Sequence, residues 1–371
     1  MKPLDKKIGI IGGGQLAQMM VLVAHNLGLK VTVLSSSKND PAAKATTRWI
    51  EGSPDNIASI KKLAKVVDVI TFESEFVAPK CLDELSKMKN EVFPTPKIMH
   101  TIADRLTQKK WLTNAKVPTS AYDEVSTSKE LLSLKETRKL PLVIKARRNG
   151  YDGYGTYIIK KWSDKKALEF VDNCPFGVIA EDFIPFKREL AISLAINSKK
   201  EIVFLPLVET FQENYKCLWV KGPVKEHPAF SSLKRKLSSL VKNSGYVGLI
   251  SFEIFDTGKE LLINEIAPRV HNSAHYSQDA LTLSQFELHL RSVIGAPMEQ
   301  PKLLAPGFAM LNLLGTNSKE PKLALAKNVK LHWYAKDENR AGRKMGHINA
   351  ISSSPATALK KVLEAKKEFK L

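Results

Sequence analysis

The stretch VIKARRNGYDGYGTYII, residues 143–159, sets an apolar run ending in Lys145 against a loop that carries Gly150, Gly153 and Gly155, with a second apolar run beyond it. Glycines let a backbone approach phosphate oxygens and turn its amide N–H groups toward them, and a lysine at the strand end then supplies a point charge. The same letters also describe an ordinary tight hairpin. The two readings stand level until the rest of the chain is considered.

About a hundred residues on, GLISFEIF (248–255) and ELLINEIA (260–267) flank the turn DTGK, which reads as a hairpin. Glu253 and Glu265 lie on its two strands among Phe252, Ile254, Ile263 and Ile266. Buried carboxylates without partners are costly, so they call for a cation. Two carboxylates facing phosphates suit Mg²⁺, which takes oxygen ligands and is commonly shared with a nucleotide. A three-residue turn, Thr257 to Lys259, would bring both acids to one face. Two acids held in ion pairs is the other reading, and it leaves the glycine loop unexplained.

Toward the N-terminus, KIGIIGGGQLAQMM (7–20) places Gly12, Gly14 and Ala17 in the dinucleotide-binding pattern, after one strand and at the start of a helix. NAD would need an acid at the end of the next strand, KVTVL, where Ser35, Ser36 and Ser37 stand instead. Strands and helices alternate to about residue 95, which predicts a parallel sheet covered by helices. Thr95 is an N-cap and Pro96 a first helical residue for the run to Lys116. Beyond Leu140 strands dominate, and a small strand-rich lobe follows Pro297. The expected fold is therefore mixed, α/β then α+β, in three parts: 1–95, 96–297 and 298–371.

Composition narrows the function. The 371 residues, 43% hydrophobic and 26% charged, suit a soluble globular protein with no membrane-spanning run and no signal-peptide pattern. Three scattered cysteines, Cys81, Cys174 and Cys217, predict reduced thiols in a cytoplasm. The net charge of +19 arises from 57 basic against 38 acidic residues, scattered in pairs such as Lys61-Lys62 and Lys360-Lys361. It reads as a solvated lysine-rich surface and not as a nucleic-acid-binding module.

In order along the chain, the phosphate lysine and glycine loop, AEDFI with a later acid in FKREL, and FEIF…NEIAPR resemble the ATP-grasp superfamily. GGGQL, TFESE, ADRLTQKKWL, YDGYG, NEIAPRVHNSAH, SQFELHLRSVIG and AGRKMGH extend the resemblance, almost end to end, to its 5-(carboxyamino)imidazole ribonucleotide synthase family. The resemblance implies a Rossmann-like pre-ATP-grasp domain, a central ATP-grasp domain and a small C-terminal lobe. It implies ATP- and bicarbonate-dependent carboxylation of 5-aminoimidazole ribonucleotide through carboxyphosphate in purine synthesis, with Mg²⁺, in a cytoplasmic homodimer that binds neither nucleic acid nor membrane.

By position it implies that Arg105, Lys145 and the loop Gly150, Tyr151, Asp152, Gly153, Tyr154, Gly155 and Thr156 hold the ATP phosphates, with Asn264 beside them. Glu181, Asp182, Phe183 and Ile184 would line the adenine, Glu189 would reach the ribose, and Gln212 would lie near the nucleotide. Glu253 and Glu265 would ligate the metal, and Arg269 would stabilise carboxyphosphate. Asp152, His271, Asn272 and Ser273 would surround the ribonucleotide, with Gln15 and Glu73 approaching from the N-terminal domain and Arg340, Arg343 and Lys344 on its 5′-phosphate. Asp152, Arg269 and His271 would be the catalytic group. The chain departs from the family's pattern at Ala17-Gln18, Ser74, Phe76, Thr156 and the stretch ETFQENYKC. A formate-dependent glycinamide ribonucleotide transformylase shares the architecture but not VHNSAH or GRKMGH.

Overall fold

The computed structural model describes residues 2–150, 153–318 and 321–371. Tyr151 and Asp152, both expected at the site, lie outside the described residues.

The N-terminal alternation builds a five-stranded parallel sheet of β1 (Lys7–Ile11), β2 (Lys30–Ser35), β3 (Trp49–Glu51), β4 (Val69–Phe72) and β5 (Glu91–Val92), in the order 3-2-1-4-5. Ile8, Ile10, Val33 and Val69 are fully buried, as both faces of a parallel sheet require. The chain then leaves through the helix Pro96–Ala103, whose N-cap is Thr95, its hydroxyl oxygen accepting from the Ile98 N–H at 3.4 Å. The predicted single helical run is broken at Asp104. Its backbone turns to φ −112° and ψ 116°, and its carboxylate caps a second helix, Arg105–Asn114, at the Leu106 N–H.

A four-stranded sheet of β6 (Tyr122–Val125), β7 (Leu142–Ala146), β8 (Thr156–Ile159) and β9 (Val178–Asp182), in the order 6-9-7-8, presents the glycine loop between β7 and β8. The remaining strands form one nine-stranded sheet: β10 (Arg188–Ile196), β11 (Ile202–Phe204), β12 (Val208–Glu213), β13 (Lys216–Gly222), β14 (Gly248–Asp256), β15 (Leu261–Ala267), β16 (Gly307–Leu314), β17 (Lys330–Trp333) and β18 (Lys344–Ser352). Its order is 15-14-10-12-13-16-18-17, with β11 on β10. The strand-rich tail therefore continues the central sheet, through β16 on β13, instead of closing a sheet of its own.

The helix Phe230–Ser244 covers one region of this sheet. Phe230, Leu233, Leu237, Leu240 and Val241 recur at helical spacing and bury against Ile250, Phe252 and Ile254. Burying each such side chain contributes about 1.5–3 kcal/mol. A second core joins the parts: Ile8 and Val33, the helices Gln15–Asn26 and Gln285–Ile294, and Phe308 and Met310 belong to one buried cluster. Between them, Thr71 of β4 meets His289 of the latter helix in a buried hydrogen bond of 2.8 Å. No described helix is long and apolar enough to cross a membrane.

Candidate active site

The hairpin β14–β15 sets the two acids opposite each other, but not by the expected turn. The turn spans Thr257–Glu260 and closes on the pair Asp256 and Leu261, a register that would oppose Glu253 to Asn264. A one-residue bulge between Glu253 and Ile254 shifts the ladder, so that Glu253 pairs with Glu265. Cross-strand partners share a face, so the bulge aims both carboxylates the same way. Glu253 keeps 32% of its side chain open to solvent. Burial, then the neighbouring Glu265 and Glu189, push its pKa up to about 8. Such a pair is short of positive charge.

Cations stand around it. Arg105 donates from Nη2 to Glu265 at 3.2 Å and to the Gly150 carbonyl at 3.2 Å, and from Nη1 to the Ala146 carbonyl at 3.0 Å. It thus ties the acid to the foot of the glycine loop. Lys145, at the end of β7, reaches Asn264 at 3.0 Å and Glu181 at 3.3 Å. Glu181 turns its side chain inward to hold two lysines, a role that the adenine-lining expectation did not contain.

The second lysine is Lys109, which the sequence reading passed over within ADRLTQKKWL. It lies 3.2 Å from Glu181 and donates to Thr119 at 2.6 Å and Ser120 at 2.8 Å. Burial, reinforced by Lys145 and outweighing the pull of Glu181, lowers Lys109 to about 8. Burial pushes Glu181 upward, but Lys145, Lys109 and the Ser120 hydroxyl prevail and hold it at about 2. The available signal was a lysine three residues from Leu106 and from Leu112, on the buried face of its helix.

The remaining nucleotide residues spread outward. Asp182 accepts from Arg138 at 3.3 Å, and Phe183 is exposed. Ile184 and Gln212 are half-buried, and Gln212 sits where the register of β12 on β13 shifts by one residue. Glu189, on β10, is raised by burial to about 7 and faces Glu253 electrostatically. Gly153 takes φ +81°, and a side chain there would meet the ring of Tyr215 at 2.5 Å, so the glycine loop lies against the tip of the β12–β13 hairpin. Gly155, at φ +71°, and Thr156 lead into β8, while Tyr154 is exposed.

On the other side of the acids, His271 Nε2 lies 3.8 Å from Glu253. Its Nδ1 accepts the Ser273 N–H at 3.4 Å and meets the Ser273 hydroxyl at 2.9 Å, which leaves the proton on Nε2. Burial, then Arg269 and Lys344, lower His271 to about 3, so its imidazole is neutral at pH 7. Asn272 exchanges hydrogen bonds with the buried Asn312 at 2.9 and 2.7 Å. Arg269 pairs with Glu75 through Nε at 2.5 Å and Nη2 at 3.0 Å.

From the N-terminal sheet, Glu73 accepts the Gly14 N–H at 2.6 Å. Side chains on Gly12 or Gly14 would strike this carboxylate at 2.7 or 2.2 Å. The helix N-terminus that would meet a dinucleotide pyrophosphate is thus filled by the protein's own acid. Gln15 opens that helix, half-buried. Lys344 reaches the site electrostatically, acting on Glu253 and His271. Arg340 does not come with it: 67% exposed, it pairs with Glu338 at 3.0 Å. Arg343 folds back to the Glu338 carbonyl at 3.0 Å. Lys336, unanticipated, donates to the Lys344 carbonyl at 2.8 Å and acts on Glu73.

Among the described residues no cluster of three or more metal-binding side chains exists. The Glu253–Glu265 pair nonetheless fits Mg²⁺, because that ion is content with one or two carboxylates when phosphates and waters complete its shell.

Comparison with known proteins agrees with this geometry. Residues 5–103 match the ribonucleotide synthetase preATP-grasp domain, 110–286 the ATP-grasp domain, and 309–361 the phosphoribosylaminoimidazole carboxylase C-terminal domain. The N5-carboxyaminoimidazole ribonucleotide synthase of Synechococcus elongatus is 36% identical over 92% of this chain and 88% of its own. The Staphylococcus aureus N5-carboxyaminoimidazole synthetase complexed with ADP superposes with TM-score 0.90 at 29% identity, covering 99% of this chain and 98% of that one. The Aspergillus clavatus synthase in complex with ADP and 5-aminoimidazole ribonucleotide does so with TM-score 0.84 at 28% identity, covering 98% of each chain. The chain belongs to the N5-carboxyaminoimidazole ribonucleotide synthase family of ATP-grasp ligases.

Proposed function

We propose that this protein carboxylates 5-aminoimidazole ribonucleotide at the expense of ATP, with bicarbonate as the carbon source. The observation that carries the reading is the opposed pair Glu253 and Glu265 beside Arg105, Lys145 and Lys109, in a chain of this family. ATP phosphorylates bicarbonate to carboxyphosphate with release of ADP, and the exocyclic amine of the ribonucleotide captures the carboxyl carbon as phosphate leaves and the amine gives up a proton. Such transfers depend on positioning and charge stabilisation. Lys109, Lys145 and the glycine loop Gly150–Thr156, Tyr151 and Asp152 included, receive the phosphates. Glu181 orients the two lysines, and the segment Glu181–Ile184 with Glu189 and Gln212 borders the nucleoside. Glu253 and Glu265 hold Mg²⁺, which when bound neutralises phosphate charge.

Arg269 stabilises the carboxyphosphate anion. His271, neutral and carrying its proton on Nε2, offers a donor without repelling Arg269. With Asn272, Ser273, Gln15, Glu73 and Asp152 it borders the ribonucleotide, whose 5′-phosphate goes to Lys344. On this reading residues 1–95, 96–297 and 298–371 are the three functional parts of a cytoplasmic homodimer, an assembly that light scattering would read directly. Glu265→Gln tests the centre. It removes one carboxylate while keeping the Arg105 contact possible, so the fold should hold and ATP turnover should fall by several kcal/mol of transition-state stabilisation. Turnover close to normal at ordinary Mg²⁺, assayed with bicarbonate and aminoimidazole ribonucleotide, would refute it.

A further inference from the structure

Arg269 sits among three carboxylates. Glu73 and Glu265 act on it electrostatically, but Glu75 alone is hydrogen-bonded to it. A guanidinium has five N–H donors in a rigid fork. Glu75 takes the side of that fork, from Nε and Nη2, and the Val270 carbonyl takes one donor of Nη1 at 3.0 Å. One N–H on each terminal nitrogen is left without a partner among the described residues, two donors available to an oxyanion. Both partners are largely buried, at 15% and 12% side-chain exposure, so the geometry is not averaged by solvent.

Glu75 follows β4 of the N-terminal sheet, whereas Arg269 follows β15 of the central sheet. It also lines a small polar cavity with Arg105, Asn149, Gly150 and Glu265, between the first sheet and the glycine loop. We propose that Glu75 is a positioning residue of the reaction: it holds Arg269 side-on, keeps the guanidinium from collapsing onto Glu265 or Glu73, and so presents its free donors to the bicarbonate-derived anion. This rests on the reading of Arg269 as the group that stabilises carboxyphosphate. It adds that the aim of Arg269 is set from the other domain.

Glu75→Gln replaces one of the two acceptors by a donor and breaks the side-on pair. It should lower kcat tenfold or more with KM for ATP within twofold of wild type. ADP should then be released in excess of carboxylated product, because carboxyphosphate left unheld decomposes before capture. Loss of rate with ADP and product still matched one to one would mean a merely structural role and would overturn the proposal, as would a wild-type rate. Should Glu75→Gln fail to fold, Glu75→Asp, which draws the carboxylate back by one methylene, is judged by the same ratio. Arg269→Lys separates the two readings. If it too stays fast and coupled, Arg269 itself was misassigned; if it uncouples and the Glu75 variants do not, only the positioning role falls.

Discussion

Replacing Lys109 by Met should make the nucleotide-free protein more stable while weakening its hold on ATP. Lys109 is 1% exposed, and burial brings its ammonium from 10.5 to about 8. At about 1.4 kcal/mol per pKa unit, keeping it charged at neutral pH destabilises the fold by on the order of 3 kcal/mol. Methionine fills a similar volume and removes that term. It also removes the bonds to Thr119 and Ser120, worth about 1 kcal/mol each, although both hydroxyls keep their other partners, the Ile263 carbonyl and Glu181.

The net gain is about 1–2 kcal/mol, a rise in Tm of roughly 1–3 °C for a chain of this length. ATP should bind about ten- to a hundredfold more weakly, the loss of a charge-assisted bond. The pH dependence gives a second signature. The folded value of about 8 lies below the unfolded 10.5, so between them the unfolded chain retains a proton that the folded protein has released. Wild-type stability should therefore rise with pH across this window by the same ~3 kcal/mol, and the variant should lack that rise. Urea unfolding without nucleotide, at pH 7 and near pH 10, measures both. A variant less stable than wild type at pH 7, or a stability difference between variant and wild type that is unchanged between the two pH values, would refute the argument.

Two further outcomes follow from hydrogen bonds and exposure. In Thr71→Val the His289 Nε2 proton, fixed there because Nδ1 accepts the Leu249 N–H at 3.1 Å, loses its buried acceptor. Stability should drop by about 1–3 kcal/mol, read as a lower Tm. Lys344→Ala should raise KM for aminoimidazole ribonucleotide by about 1.5–3 kcal/mol with that for ATP unchanged, whereas Arg340→Ala, whose side chain is exposed and paired with Glu338, should leave both unmoved. Steady-state kinetics with each substrate varied decides between them.

Local signals were legible. The apolar runs of β1, β2 and β4, the cap at Thr95 and the hairpin about Gly258 follow from residues close in sequence. What escaped depends on partners far away. The bulge that opposes Glu253 to Glu265 is a one-residue offset, which alternation alone cannot locate. Lys109 looks like any helical lysine until Glu181, 72 positions on, accounts for its burial. Asp104, in contrast, was readable in principle as an N-cap inside an apparent helix, and continuous helical periodicity on both sides hid it. Three charges in NRAGRKMGH looked equivalent, but the turn sends Arg340 outward and Lys344 inward. Conformation, and not composition, distinguishes them.

The continuity of the nine-stranded sheet also orders events during synthesis. The parallel sheet can close once residue 92 has emerged, because its strands are local to one another. The central sheet cannot. The edge of β13, complete at Gly222, waits for β16, which ends at Leu314, and β16 in turn waits for β18, which ends at Ser352. For the time taken to make about 90 further residues, a strand edge that includes Trp219 and Val220 stays open, the kind of exposed template on which nascent chains pair wrongly. A chaperone or a slow codon stretch acting on this protein would therefore matter most in that interval, before β16 has sealed the edge of β13.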